Sequence, residues 1–191
     1  MECGGMFGEK KWDIFSIIPD KYYPKTFLIK AGEEEKAIET ANEIGYPMIA
    51  KPNVGERGTW VKKIETEDQL RDYIASCKVD FLIQEVVDYP IELGVFYVRY
   101  PNEEKGKVTS IVRKSFLTVV GDGVHSINQL LAQNERALLT ANLESDYLKE
   151  VGHKIPEKEE EILIEPIGNH CRGTQFLSDN HQITEELNGA F

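Results

Sequence analysis

A fold of two small α+β lobes is what this sequence predicts, and three observations carry the prediction. Short helical periods alternate with short apolar strands as far as residue 87. Beyond that point Glu92 to Tyr100 and Lys107 to Val120 alternate as long antiparallel strands, joined by Pro101 to Gly106. The 191 residues, 41% hydrophobic and 29% charged, suffice for one domain or two small ones. Two lobes, residues 1–87 and 88–191, fit this order better than one doubly wound sheet. A ligand is expected between them.

Taken in order, Lys10 to Ile18 is a short helix stopped by Pro19. Lys25 to Ile29 is a strand. Glu33 to Ile44 is a helix with Ala37, Ile38, Ala41 and Ile44 on one face, ended by Gly45 as a left-handed cap. Pro47 to Lys51 is a buried strand, followed by a loop over Pro52 to Thr59 and a strand from Trp60 to Ile64. Thr66 to Gln69 is a capping box that opens a helix running to about Cys77. Phe81 to Val87 is the last strand of the first lobe. In the second, Gly121 to Gly123 is a turn, Ser126 to Gln129 caps a helix through Leu131, and Glu161 to Glu165 is a strand. The acidic run Glu157 to Glu161 is a solvated loop. Ile183 to Phe191 ends on a starting helix, and Met1 to Gly8 enters without a first strand, so the sequence is expected to be cut from a longer one at both ends.

The charge excludes some functions. A net charge of −11 argues against a general nucleic-acid or anionic-membrane binder, which needs clustered Lys and Arg. Cys3, Cys77 and Cys171 are odd in number and lack framework spacing, which points to a reduced, cytoplasmic protein. No apolar run approaches the roughly 18 residues of a membrane span. A phosphate ligand must then be held by a few placed cations and backbone amides.

Lys51 to Thr59 supplies such a set. A buried strand delivers Lys51 at its end, and a loop with Gly55 and Gly58 returns to the next strand. Glycines let backbone amides approach phosphate oxygens, and Lys51 adds a point charge. The same residues also suit a plain hairpin. Farther on, Gln84, Glu85, Val86 and Val87 end a strand at the lobe junction, with Glu92 soon after. A nucleotide hinge needs a backbone acceptor and donor for adenine and a carboxylate for ribose, and these residues supply them in that order.

With those residues in view, the sequence resembles the ATP-grasp superfamily over nearly its whole length. "YPMIAKP…GERGT" looks like the phosphate-binding strand and flexible loop, and "LIQEVV…E" like the adenine hinge and ribose carboxylate. Tyr22 to Thr26 resembles the "P-x-T" entry strand, preceded by a lysine, Lys11 or alternatively Lys10. Many members have Glu-Lys or Glu-Glu where this chain has Gln84-Glu85, which leaves open the side chain that faces adenine. Gly121 to Leu131 is similar to the "GDG…S/T-I…L" segment of cyanophycin synthetase and related amino-acid ligases, or is a turn and cap alone. The resemblance implies ATP held by Lys11, Lys51, Gly55, Gly58, Thr59, Gln84, Glu85, Val86, Val87 and Glu92.

In the second lobe Arg113-Lys114 either lines a substrate cleft or is solvated. Asn169 and Arg172 fall where ATP-grasp ligases place groups near the γ-phosphate, and the resemblance gives them catalytic roles; the alternative is a loop that caps itself. His170, Cys171 and His181 lack the spacing of a zinc site, and His125 and His153 have no evident partner. The family holds magnesium through an Asp or Glu and a Glu-x-Asn pair on late strands. Nothing after Asn169 matches, so no metal ligand is assigned here and those for Mg2+ are expected downstream. The function so implied is the ATP-binding part of a carboxylate–amine ligase, nearest to D-alanine–D-alanine ligase and cyanophycin synthetase, acting through an acyl-phosphate. Its partners are ATP, a small carboxylate and an amine, and by itself the chain is expected to be inactive. The alternatives are a non-catalytic ATP-binding sensor or assembly module of the same fold, or a purely structural domain.

Overall fold

The computed structural model describes residues 8–141 and 145–189, and the chain divides into two compact units, Met1–Asp88 and Tyr89–Phe191. Met1 to Phe7 with Cys3, and the closing Ala190 and Phe191, lie outside the described residues. Every strand pairing is antiparallel, which is the α+β class that the alternation predicts.

The first unit contains α1 (Lys11–Phe15), β1 (Thr26–Ile29), α2 (Glu34–Ile44), β2 (Met48–Pro52), β3 (Lys62–Ile64), α3 (Glu67–Ser76) and β4 (Phe81–Glu85). The sheet runs β1-β4-β2-β3. Because successive side chains alternate between its faces, Ile29, Met48, Ala50, Ile64, Phe81 and Ile83 share one side. There they meet Ala37 and Ala41 of α2 and Leu70 and Tyr73 of α3, all buried. Tyr73 packs edge-on to Phe81 at 5.3 Å between centroids and donates its hydroxyl to the carbonyl of Trp60 at 3.1 Å. The other face of the same strands carries Thr26, Leu82, Gln84, Ile49 and Lys51. Helices α2 and α3 both cover that side, so the polar groups of the sheet collect on the other.

Several boundaries differ from the expectation. Gly45 ends α2 at the positive φ of 87° that a glycine cap supplies, but its ψ of 161° lies outside the left-handed helical well, and the chain turns directly into β2. The Thr66 hydroxyl caps α3 by accepting from Gln69 N, but the Gln69 side chain accepts from Glu65 N, so the reciprocal half of the box is displaced by one residue. Trp60 lies outside the strand with φ 60°, and Val86 and Val87 lie beyond the end of β4.

The second unit contains β5 (Leu93–Val98), β6 (Lys107–Ser115), β7 (Leu117–Val120), α4 (Ile127–Ala132), α5 (Glu135–Thr140), α6 (Asp146–Val151), β8 (Glu161–Glu165), β9 (Gln175–Ser178) and α7 (Glu185–Gly189). One sheet runs β5-β6-β9 and a second pairs β7 with β8. The single long strand expected over Lys107 to Val120 is thus two strands, divided at Phe116. Alternation alone does not distinguish one strand from two that serve different sheets. Leu117, Val119 and Ile164 of the β7–β8 pair pack with Ile127, Leu131, Ala137 and Leu148 of the three short helices. The Ser126 box forms in full: its hydroxyl accepts from Gln129 N and the Gln129 side chain accepts from Ser126 N.

Candidate functional site

The polar face of the first sheet is organised by one chain of hydrogen bonds. Thr26 donates its hydroxyl to Pro24 O at 2.6 Å, Gln84 Nε2 donates to Thr26 Oγ1 at 2.6 Å, and Lys51 Nζ donates to Gln84 Oε1 at 2.7 Å. A hydroxyl has one proton and an ammonium no acceptor, so this order fixes the Gln84 amide with its oxygen toward Lys51. Register explains the meeting. Thr26 and Ile49 both stand opposite Gln84, and Lys51 lies two residues along from Ile49 on the same face. Glu85 has the other parity. Its carboxylate accepts from Lys25 N at 3.3 Å and its own N–H donates to Lys25 O. Of the two hinge side chains, Gln84 therefore shares the Lys51 face.

Lys51 is largely withdrawn from water, under the ring of Phe15 at 5.4 Å. Burial, assisted by the charge of Lys11, lowers its pKa to about 8. Lys11 is itself lowered by burial, and its Nζ donates to Gly55 O at 2.7 Å. The start of α1 is pinned there by Asn53, which is 3% exposed. Its carbonyl accepts from Lys11 N and its side-chain oxygen from Trp12 N, each at 2.9 Å. Lys10 is exposed, so Lys11 is the lysine turned toward the loop. Two part-buried ammonium groups near one another are unfavourable unless an anion joins them.

The loop between β2 and β3 is exposed and demands unusual backbone. Gly58 has φ 72° and Gly55 φ 154°, and Arg57 is also positive at 59°. Thr59 N donates to Glu56 O at 3.1 Å. Among the described residues nothing accepts from the amides of Gly55, Glu56 or Arg57. That is the state of backbone suited to an incoming anion. Val86 is half-buried and Val87 exposed past the end of β4.

In the second unit the predicted residues have protein partners. Glu92 forms an ion pair with Lys114, whose side chain is 21% exposed, and Arg113 pairs with the buried Asp179 at 2.7 Å. Neither basic residue is simply solvated. Asn169 caps its own turn, accepting from Cys171 N at 2.8 Å, which is the self-capping alternative. Arg172 meets Glu165 at 3.4 Å. Asp122 accepts from the amides of Val124 and His125 at 2.8 Å and from the His125 ring at 2.6 Å, contacts that hold its carboxyl far below the usual range. His125 thus does have a carboxylate partner. A Cβ at Gly121 would lie 2.0 Å from Glu157 O, so close backbone approach accounts for that glycine. The residue missed from the sequence is Arg136, which binds the segment around Arg172.

The magnesium that the resemblance implies finds no fit here. Among the described residues no group of three or more His, Cys, Asp or Glu could hold a metal ion. Glu92, Glu165 and Asp179 are each committed to a cation. Among these residues no helix is long and apolar enough to cross a membrane.

No family model matches the chain. In sequence it is similar to the α-aminoadipate–LysW ligase LysX of Sulfurisphaera tokodaii, 38% identical over 74 residues. The match takes in 35% of this chain and 25% of that protein, so the chain spans a quarter of the length of the curated relative it matches. Among solved structures it is similar to D-alanine–D-alanine ligase from Helicobacter pylori, at 14% identity over 55% of this chain and 32% of that one, with a TM-score of 0.44. It is also similar to a carboxyaminoimidazole ribonucleotide synthase from Aspergillus clavatus complexed with ATP, at 11% identity over 89% and 44%, with a TM-score of 0.48. The sequence likeness to LysX, over 35% of this chain, agrees with the resemblance drawn from the residues.

Proposed function

We propose that this chain, an ATP-grasp sequence by resemblance, is the ATP-binding part of an ATP-dependent carboxylate–amine ligase. The observation that carries the reading is the pair Lys11 and Lys51, part-buried and mutually repelling beside a glycine loop with uncommitted amides. In this reading the two lysines meet the phosphates, and Gly55, Gly58 and Thr59 cover them. Backbone groups of Glu85, Val86 and Val87 meet the adenine edge, with Gln84 on the Lys51 side and Glu92 for ribose. Glu92 would then exchange part of its contact with Lys114 for a ribose hydroxyl. ATP supplies the phosphoryl group that activates a carboxylate as an acyl-phosphate, leaving ADP, and an amine then attacks the acyl carbon and displaces phosphate. The chain's own residues bind, orient and balance charge rather than act as nucleophiles. Arg172 and Asn169 are assigned to the phosphoryl side, Arg172 to balance developing charge. Magnesium would offset phosphate charge in such a reaction, and among the described residues the carboxylates do not form a site for it. The likeness to a ligase does not favour a non-catalytic sensor.

The hinge gives the test. A buried edge built for one donor–acceptor pattern rejects another because its polar groups are left unpaired. ATP should displace a bound fluorescent adenine nucleotide at concentrations at least tenfold below GTP (about 1.4 kcal/mol). Equal displacement, or a preference for GTP, removes the hinge assignment.

A further inference from the structure

The segment Asn169–Thr174 joins β8 to β9 and carries both residues assigned to the phosphoryl side, yet it holds only one 3-10 turn, His170–Arg172. Its shape is imposed from α5. Arg136 donates from Nε to Gly173 O at 2.8 Å and from Nη2 to Thr174 O at 2.7 Å. The same nitrogen reaches His170 O at 3.4 Å and His170 Nδ1 at 3.1 Å. A guanidinium has donors only, so a hydrogen bond at this contact is one that Nδ1 of His170 accepts, which favours the tautomer with its proton on Nε2. A single planar group thereby ties three of these six residues to one helix.

That helix is itself held. The Asn134 side chain caps it by accepting from Arg136 N and Ala137 N, and Ala137 is 1% exposed in the core. Gly173, left-handed at φ 98°, lies so near α5 that a Cβ would meet Thr140 Oγ1 at 2.9 Å and Leu117 Cδ2 at 3.0 Å. Thr174 is fully buried. Two fixed bodies, α5 and β7, therefore define where residues 173 and 174 go, and the fork of Arg136 fixes the turn just before them. Arg172 stands inside this tether, between His170 and Gly173.

We propose that Arg136 is a positioning residue: its guanidinium, bonded to His170, Gly173 and Thr174, sets where Arg172 is presented to the reacting phosphoryl group. The proposal rests on the reading of this chain as part of a ligase with Arg172 on the phosphoryl side. Lysine keeps the charge but carries one compact ammonium on a flexible stem, and it cannot serve acceptors spread around a planar fork. Arg136→Lys should therefore leave the fold in place and loosen the presentation of Arg172.

The test uses the full-length protein with ATP, magnesium and a mixture of the twenty amino acids, following phosphate release. Arg136→Lys should lower kcat by about 10- to 100-fold, the scale of a misplacement near 1 Å, with KM for ATP within about twofold. The double variant Arg136→Lys/Arg172→Ala should be no slower than Arg172→Ala alone, since one residue acts through the other. A general structural role would instead add the two losses. In parallel, nitrogen NMR of the His170 ring should find Nδ1 unprotonated in the wild type and a mixture of tautomers in Arg136→Lys. A wild type that turns over beside an equally fast Arg136→Lys variant overturns the proposal alone, as does an unchanged His170 tautomer. A wild type without ATP-dependent phosphate release overturns the ligase reading and takes the proposal with it, while the ring spectrum still reports on the tether.

Discussion

Lys51→Ala should weaken ATP binding by about 10- to 100-fold while leaving adenosine within about twofold, on the scale of one charge-assisted hydrogen bond of roughly 1.5–3 kcal/mol. The asymmetry follows from position. Lys51 lies at the end of a strand whose opposite face is core, and among the described residues its Nζ reaches Gln84, Phe15 and the neighbourhood of Lys11. Truncation removes a cation and a buried stem but no residue of the hinge. Calorimetry with both ligands separates the outcomes, and equal losses for ATP and adenosine would contradict the phosphate role.

The same lysine makes binding depend on pH. Its pKa of about 8 in the free protein means that the charge needed for phosphate is lost as pH rises through that value. ATP affinity should fall by up to about tenfold per unit above pH 8, and Lys51→Arg should abolish the fall. Stability has the opposite sign. The folded pKa lies below the unfolded one, so the unfolded chain binds more protons between about 8 and 10.5, and stability rises with pH across that window.

Arg172→Ala is the larger effect, about 10³-fold in turnover of the full-length protein, the lower end of what a charge-neutralising arginine contributes to phosphoryl transfer. Its ion pair with Glu165 at 3.4 Å is long, and a negatively charged phosphoryl group would compete for the guanidinium. ATP affinity should change by less than about threefold if the contact strengthens only as charge develops. A matched loss in affinity and turnover would mark Arg172 as a ground-state contact. Thermal midpoints that fall together with turnover would mark it as a structural one.

What could be read from the residues, and what could not, divides along a physical line. The apolar period of α2, the Thr66 and Ser126 caps and the strand that delivers Lys51 are local, and local pattern located them. The relation of Gln84 to Lys51 depends on register between β2 and β4, which no single strand carries. The division at Phe116 depends on which partner each half finds, β5 and β9 or β8. Helices α5 and α6 have six residues each, too few to display a helical period. Arg136 lies 34 residues or more from every residue it tethers. Its signal in the sequence is only an arginine after an Asn cap, and its meaning comes from the packing of Gly173 on Thr140. The resemblance makes Glu92 a ribose ligand, and its pairing with Lys114 across the strands is visible only once β5 and β6 are aligned.

If this chain serves the activation of a carboxylate by ATP, the activated acid can be trapped directly. An acyl-phosphate reacts with hydroxylamine to give a hydroxamate, whichever amine is the natural acceptor. Full-length protein incubated with ATP, magnesium, hydroxylamine and a panel of amino acids should form a hydroxamate together with phosphate from at least one acid. The signal should require ATP and disappear in Lys51→Ala. ATP-dependent phosphate release with no hydroxamate from any acid, at hydroxylamine concentrations that trap a synthetic acyl-phosphate, would contradict the account.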